Sequence, residues 1–190
     1  MVAKPLPRRA TYGDIEAAPP NMVAEIIDGA LHVNPRPAVP HTVAASTLGQ
    51  ELGAPFFRGR GGPGGWVILD EPELHLGPEP DVLVPDLAGW RRARMPEIPE
   101  VTPYFTLAPD WLCEVLSPST AATDRSQKLP IYAREGVAHV WLVDPLVKTL
   151  EVLRLDGPTW RLLGTWRDDQ IVNAEPFESF GLELATLWTR

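Results

Sequence analysis

Trp111-Leu112-Cys113-Glu114-Val115-Leu116, then Asp124 to Glu135, then His139-Val140-Trp141-Leu142-Val143 is the stretch whose reading decides the fold. Its first and last runs are short, apolar and rich in aromatic or β-branched residues, the composition of buried strands. The segment between them is helical at least in part, and Gly136 stops it. Strand, crossover helix, strand is the βαβ unit of a partly parallel sheet with a covered core. Side chains alternate along a strand, so Leu112, Glu114 and Leu116 share one face, and Trp111, Cys113 and Val115 the other. Glu114 is therefore a carboxylate in an otherwise apolar strand. Burying even a neutral polar group unpaired costs roughly 2–7 kcal/mol, and a charge costs more. Glu114 requires a partner.

Upstream, residues 1–10 read as a flexible arm and residues 11–190 as a single domain. Thr11 with Asp14 three places on resembles a capping box, opening a short helix that Pro19-Pro20 must end. Val23–Ile27 and Ala30–Val33 flank Asp28-Gly29, a hairpin signal because Gly accepts the positive φ of a type I′ turn. A helix is expected from His41 to Leu52, with Val43, Leu48 and Leu52 on its apolar face. Gly59 to Gly65 is a flexible loop; no Gly-Lys-Ser/Thr closes it, which removes a phosphate-loop reading. Strands are expected at Trp66–Asp70, Glu73–Leu76 and Asp81–Val84, then a long polar connection over 86–108. Leu150–Leu155 and Trp160–Thr165 supply further strands. The fold class is α/β: a mixed sheet flanked by helices, with an N-terminal helix and hairpin.

The 190 residues suit one domain, which can bury roughly 70% of its unfolded surface without a disulfide. The 22 prolines favour rigid loops and short elements. Cys113, the single cysteine, sits in an apolar run with no nearby base and reads as a small buried hydrophobe. The N-terminal stretch has charge and proline but no apolar core, so it is not a secretory signal. No apolar run approaches the roughly 18 residues of a membrane span. A reducing cytoplasm is the expected compartment. The formal charge of −8 counts against wrapping nucleic acid over a broad surface, though not against a local basic rim.

Asp81 opens the apolar run Asp81-Val82-Leu83-Val84 behind Pro80. If its strand neighbours that of Glu114, two carboxylates lie at one end of the sheet. At about 4 Å and an effective dielectric of 20 they repel by roughly 4 kcal/mol, which a proton, a cation or a metal resolves. Mg²⁺ takes one or two carboxylates and keeps several waters. Lys128, on the helix after Glu114, is the candidate cation to orient or deprotonate an attacking water. Each residue alone has a plainer reading: Asp81 as a turn residue, Glu114 paired with Arg125, Lys128 as a solvated charge. Arg91, Arg92 and Arg94 beside Trp90, and Arg58 and Arg60 by the glycine loop, are candidates for phosphate or base contact.

Pro80-Asp81-Val82-Leu83-Val84, Pro109 to Thr120 (with Glu114-Val115-Leu116-Ser117-Pro118-Ser119), Asp124 with Lys128, Tyr132 to Val137, and Val140-Trp141-Leu142-Val143-Asp144-Pro145 together resemble the Uma-type “putative restriction endonuclease” family. That family, abundant in bacteria and formerly a domain of unknown function, belongs to the PD-(D/E)xK nuclease superfamily. The resemblance covers most of the chain from about Tyr12. It implies a restriction-endonuclease-like fold in which Asp81 fills the motif aspartate and Glu114 the second acid, both binding Mg²⁺ or Mn²⁺. The usual lysine two residues on is missing, since Leu116 stands there, and Lys128 matches the lysine that members recruit from the following helix. Pro130 must kink that helix or sit in its first turn. Glu25 matches an acid of the family's first hairpin, as a third metal ligand or a partner that orients the site. His41 matches a position often histidine, read as structural or substrate-contacting, and Tyr132 is placed to orient Lys128 or to pack in the core.

The expectation is a metal-dependent endonuclease acting on phosphodiester bonds in DNA, with dimerisation suggested by analogy to nucleases of this fold. One rival keeps the fold without catalysis, as a nucleic-acid-binding or assembly module. Another is a hydrolase using Ser117 or Ser119 with His139 and Asp144, although no Gly-x-Ser-x-Gly turn is present. The nuclease reading depends on Asp81 and Glu114 meeting at one edge of the sheet.

Overall fold

Asp28 and Gly29 both adopt positive φ, 50° and 77°. That conformation matches the twist of the strands they join, and it fixes the first hairpin. Strand β1 (Met22–Ile27) pairs antiparallel with β2 (Ala30–Pro35) along its whole length. A short helix α1 (Tyr12–Glu16) precedes it, and the Asp14 carboxylate accepts the Thr11 backbone N–H at 2.7 Å. The computed structural model describes residues 8–188, so residues 1–7 of the expected arm lie outside them. Residues 8–10 contact the domain: Ala10 N–H donates to the Gly29 carbonyl.

After the hairpin come α2 (Val39–Leu52), continued by a π-turn over Gly53–Phe57, then β3 (Trp66–Asp70), β4 (Leu74–Leu76) and β5 (Asp81–Leu83). Strand β6 (Leu87–Arg91) leads through a long loop to β7 (Trp111–Val115). The crossover is α3 (Ala121–Thr123), a π-turn at Asp124–Lys128, and α4 (Leu129–Arg134), with Pro130 in the first turn of α4. Gly136 ends it at φ 75°, and β8 (His139–Asp144), β9 (Thr149–Asp156) and β10 (Thr159–Arg167) follow. A small pair, β11 (Ile171–Val172) and β12 (Leu182–Glu183), and a 3-10 turn at Leu184–Leu187 complete the chain.

Two sheets result. The larger has the order β10-β9-β8-β7-β6-β3, and only β7 and β8 run parallel, as the βαβ unit demands. The smaller has the order β2-β1-β5-β4. Alternation along β7 feeds two cores. Trp111, Cys113 and Val115 pack with Leu48, Leu52 and Phe177 on the α2 side. Leu112 and Leu116 pack with Ile131, Tyr132 and the inner face of the small sheet, including Ile27 and Leu83. Each buried aliphatic side chain contributes roughly 1.5–3 kcal/mol. Cys113 is fully buried, which pushes its thiol well above the usual range and leaves it inert.

The connection expected over 86–108 contains a strand instead. Leu87-Ala88-Gly89-Trp90 is buried as β6 and pairs with both β3 and β7. The run holds no β-branched residue, so its strand propensity is weak. Tertiary packing overrides it: a Cβ on Gly89 would lie 3.1 Å from the Trp111 ring and 3.3 Å from that of Trp66. Glycine lets two indoles close over the backbone. Trp90 is fully buried and donates its indole N–H to the Leu107 carbonyl, so it is no base-stacking platform.

Candidate active site

Strand β6 also decides which aspartate meets Glu114. Its register against β7 pairs Leu87 with Cys113, and one further step places Asp86 opposite Glu114. Asp86 completes the rung with its side chain: Oδ2 accepts the Val115 backbone N–H at 2.7 Å. The expectation that Asp81 joins Glu114 is therefore corrected. Asp81 lies on β5, in the other sheet, at the end next to the β1–β2 turn. There it accepts the Asp28 backbone N–H at 2.6 Å and the Arg134 guanidinium at 2.7 Å. It faces a different cleft, shared with Arg9, Gly77 and Arg134. Asp81 braces a turn. A signal for the aspartate that lies opposite Glu114 was in the sequence, since Pro85-Asp86 repeats the Pro-Asp dipeptide five residues on.

Four other residues singled out from the sequence do converge with Glu114. Lys128 lies in its β8-ward crossover, where the π-turn at Asp124–Lys128 turns its side chain inward, and its Nζ reaches Glu114 Oε1 at 2.9 Å and Glu25 Oε1 at 3.0 Å. Tyr132, on the next turn, donates its hydroxyl to the same Glu114 oxygen at 2.5 Å. Glu25 Oε1 also accepts the Val84 backbone N–H at 2.9 Å, tying the small sheet to the site. His41, in the first turn of α2, puts Nε2 3.2 Å from Asp86 Oδ1, while its Nδ1 is buried without a partner. Asp124 adds a further acid, 3.4 Å from the Lys128 ammonium. Among these, Asp86 and Asp124 were not assigned a metal-binding or catalytic role from sequence.

Burial and mutual charge set the protonation of this cluster. Burial raises the Glu114 carboxyl well above its ordinary range, and Lys128 offsets that only in part. Burial pulls the Lys128 ammonium down, but Glu114, the Tyr132 oxygen, Glu25 and Asp124 outweigh it and hold the proton firmly. Burial likewise lowers His41, and the Asp86 carboxylate more than reverses this, so its imidazole is raised above 6.5. A cleft of about 310 Å³ opens onto these groups. Five acids line it (Glu25, Glu71, Asp86, Glu114, Asp124) against Lys128, Arg36 and His41, so the cleft is net acidic.

Among the described residues no three His, Cys, Asp or Glu side chains form a ready-made metal cage. The donor chemistry nevertheless suits a hard divalent ion, because Mg²⁺ needs only one or two carboxylates and retains its waters. Asp86 and Glu114, opposite each other across adjacent strands in a surplus of negative charge, are the residues that would hold such an ion.

The expected basic rim is elsewhere. Arg91 ends β6 five residues from Asp86, about 17 Å along an extended strand. Arg91 lies over the Trp66 ring at 4.7 Å, Arg92 over Phe57 at 5.8 Å, and Arg94 pairs with Asp110 at 2.9 Å. None of the three lines the cleft, nor do Arg58 and Arg60. The serine-hydrolase rival also lacks its geometry. His139 pairs with Glu175 at one end of β8, and Asp144 sits at the other, where it accepts the Leu146 N–H.

A mixed sheet with a βαβ crossover, paired acids at a strand edge and a buried lysine beside them define a protein of the restriction-endonuclease-like class. The chain matches the Uma2 family, described as “Putative restriction endonuclease”, over residues 10–187, and it belongs to that family. It is also similar to a crystal structure from Anabaena variabilis described as a “putative nuclease belonging to DUF820”. The two are 25% identical with a TM-score of 0.70, covering 87% of this chain and 89% of the other. No curated protein matches the chain significantly. Family and neighbour together support a nuclease function. No helix among the described residues is long and apolar enough to cross a membrane.

Proposed function

We propose that this protein is a metal-dependent endonuclease that hydrolyses phosphodiester bonds in DNA. Asp81 and Glu114 do not meet, so the observation that carries the reading is a different pair, Asp86 and Glu114, with Lys128 at 2.9 Å from Glu114. Asp86 and Glu114 would hold Mg²⁺ or Mn²⁺, with Glu25 as a third acid within reach of the same ammonium. Bound there, the ion supplies Lewis-acid polarisation of the phosphoryl oxygen and neutralises the acids around it. Lys128 does work a motif lysine would do from β7, where Leu116 faces the core instead. Its ammonium would orient a water and meet the charge that develops on the phosphate. Tyr132 fixes the Glu114 carboxylate from the side opposite solvent, and His41 fixes that of Asp86.

The test is cleavage of plasmid and linear DNA with and without Mg²⁺ or Mn²⁺, by the parent and by Asp86→Asn. Divalent-dependent cutting that the variant lacks supports the assignment. Equal cutting by both, or cutting in EDTA, removes it. The rival of a non-catalytic module draws on the acidic cleft and on Leu116. It predicts that DNA is bound and never cut at any divalent concentration.

A further inference from the structure

Resting on the nuclease reading, we propose that Arg36 is the phosphate anchor of the cleft and that Glu71 is its resting partner, which a substrate phosphate displaces. A polyanion must enter a cleft lined by five acids. Of the cations there, Lys128 is buried against three carboxylates and His41 against Asp86. Arg36 alone among the cleft-lining cations is open to solvent, on the loop between β2 and α2 with Pro35 and Pro37 on either side. The flanking prolines restrict the loop and limit the entropy lost when the guanidinium engages a ligand.

Among the described residues the only ion pair of Arg36 is with Glu71, at 3.7 Å, and both side chains are more than half exposed. Such an exposed, long pair contributes little to stability. A phosphate, which can take two parallel N–H donors from a guanidinium, is the stronger partner. Glu71 itself is held in an unusual way. Its φ is 44°, a left-handed conformation that glutamate rarely adopts, and its N–H donates to the Asp86 carbonyl at 3.0 Å. The turn that carries the resting partner is thus bonded to the residue that carries the candidate metal ligand. The strained turn sets Glu71 at the mouth of the cleft, where it occupies the guanidinium until an anion arrives.

The experiment measures binding of a fluorescein-labelled DNA strand, single and duplexed, with Ca²⁺ in place of Mg²⁺ over a range of salt. Arg36→Ala is expected to weaken binding by about tenfold and to reduce the slope of log K against log salt by about 1. Arg36→Lys should recover part of the affinity. Glu71→Gln should tighten binding several-fold in the parent and change nothing in the Arg36→Ala background. Thermal midpoints of these surface variants should match the parent. Unchanged affinity and slope in Arg36→Ala, or an equal Glu71→Gln effect without Arg36, overturns the anchor while leaving the nuclease reading in place. A parent that neither binds nor cuts DNA overturns both.

Discussion

Asp86 accepts the backbone N–H of Val115 at 2.7 Å, so the carboxylate that precedes β6 is stitched to the residue following Glu114 on β7. This bond replaces a rung that the sheet would otherwise lack and holds the two acids across adjacent strands. Structural bonding and candidate chemistry share the same carboxylate, whose other oxygen faces His41.

Asp86 and Asp81 should separate cleanly on mutation. Asp86→Asn is expected to lower divalent-dependent cleavage by roughly 100-fold or more, since even partners of a metal ligand are worth 10–100-fold. Asp81→Ala should keep the activity and lose about 1–3 kcal/mol in urea unfolding, because the Asp28 N–H and Arg134 lose their acceptor. Loss of cleavage in Asp81→Ala at full stability would reverse the assignment.

Tyr132→Phe removes a buried hydroxyl that donates to Glu114 and changes little else in volume. Stability should fall by about 1–3 kcal/mol. Cleavage should drop about tenfold at saturating DNA with KM unchanged, as expected when a carboxylate loses its orientation rather than its contact with substrate. Paired unfolding and steady-state measurements check both parts.

Lys128→Met leaves Glu25, Glu114 and Asp124 without their shared counter-charge and should cost about 3–5 kcal/mol at neutral pH. The Glu114 carboxyl is already raised in the folded protein, so the native state binds its proton more tightly than the unfolded one. Such a group stabilises most at low pH, and that contribution is lost as pH rises from its ordinary value of about 4.5 through the folded value. The variant should therefore regain stability on acidification to about pH 5, more than the parent does. Melting curves against pH would show it; a pH-independent deficit would count against a buried acid cluster.

His41 offers a second titration. Its folded pKa lies above 6.5, because Asp86 outweighs burial. The His41–Asp86 contribution is then complete below about pH 6.5 and lost as pH rises through the folded value. His41→Asn should flatten the stability profile of the parent above about pH 6.5, where the raised imidazole loses its proton, which differential scanning calorimetry would resolve.

Local chemistry alone determined the first hairpin, since Asp28-Gly29 is confined to a turn whose φ values only such residues accept. It likewise determined the strand–helix–strand unit around Glu114, the burial of that carboxylate in an apolar strand, and the presence of Lys128 on the crossover that follows it, whereas the bond from Tyr132 to Glu114 is visible only in the folded chain. These follow from periodicity and from residues close in the chain. Which strand lies beside β7 was decided only in three dimensions. Asp81-Val82-Leu83-Val84 has the stronger strand composition, yet Leu87-Ala88-Gly89-Trp90 takes the place, where the Trp66 and Trp111 rings close over Gly89 so tightly that a Cβ would lie 3.1–3.3 Å from them. Side-chain packing across the sheet, invisible to propensity, thereby passed the acidic partner of Glu114 from Asp81 to Asp86. It also moved Arg91, Arg92 and Arg94 to the far end of the sheet and left Arg36 at the mouth of the cleft.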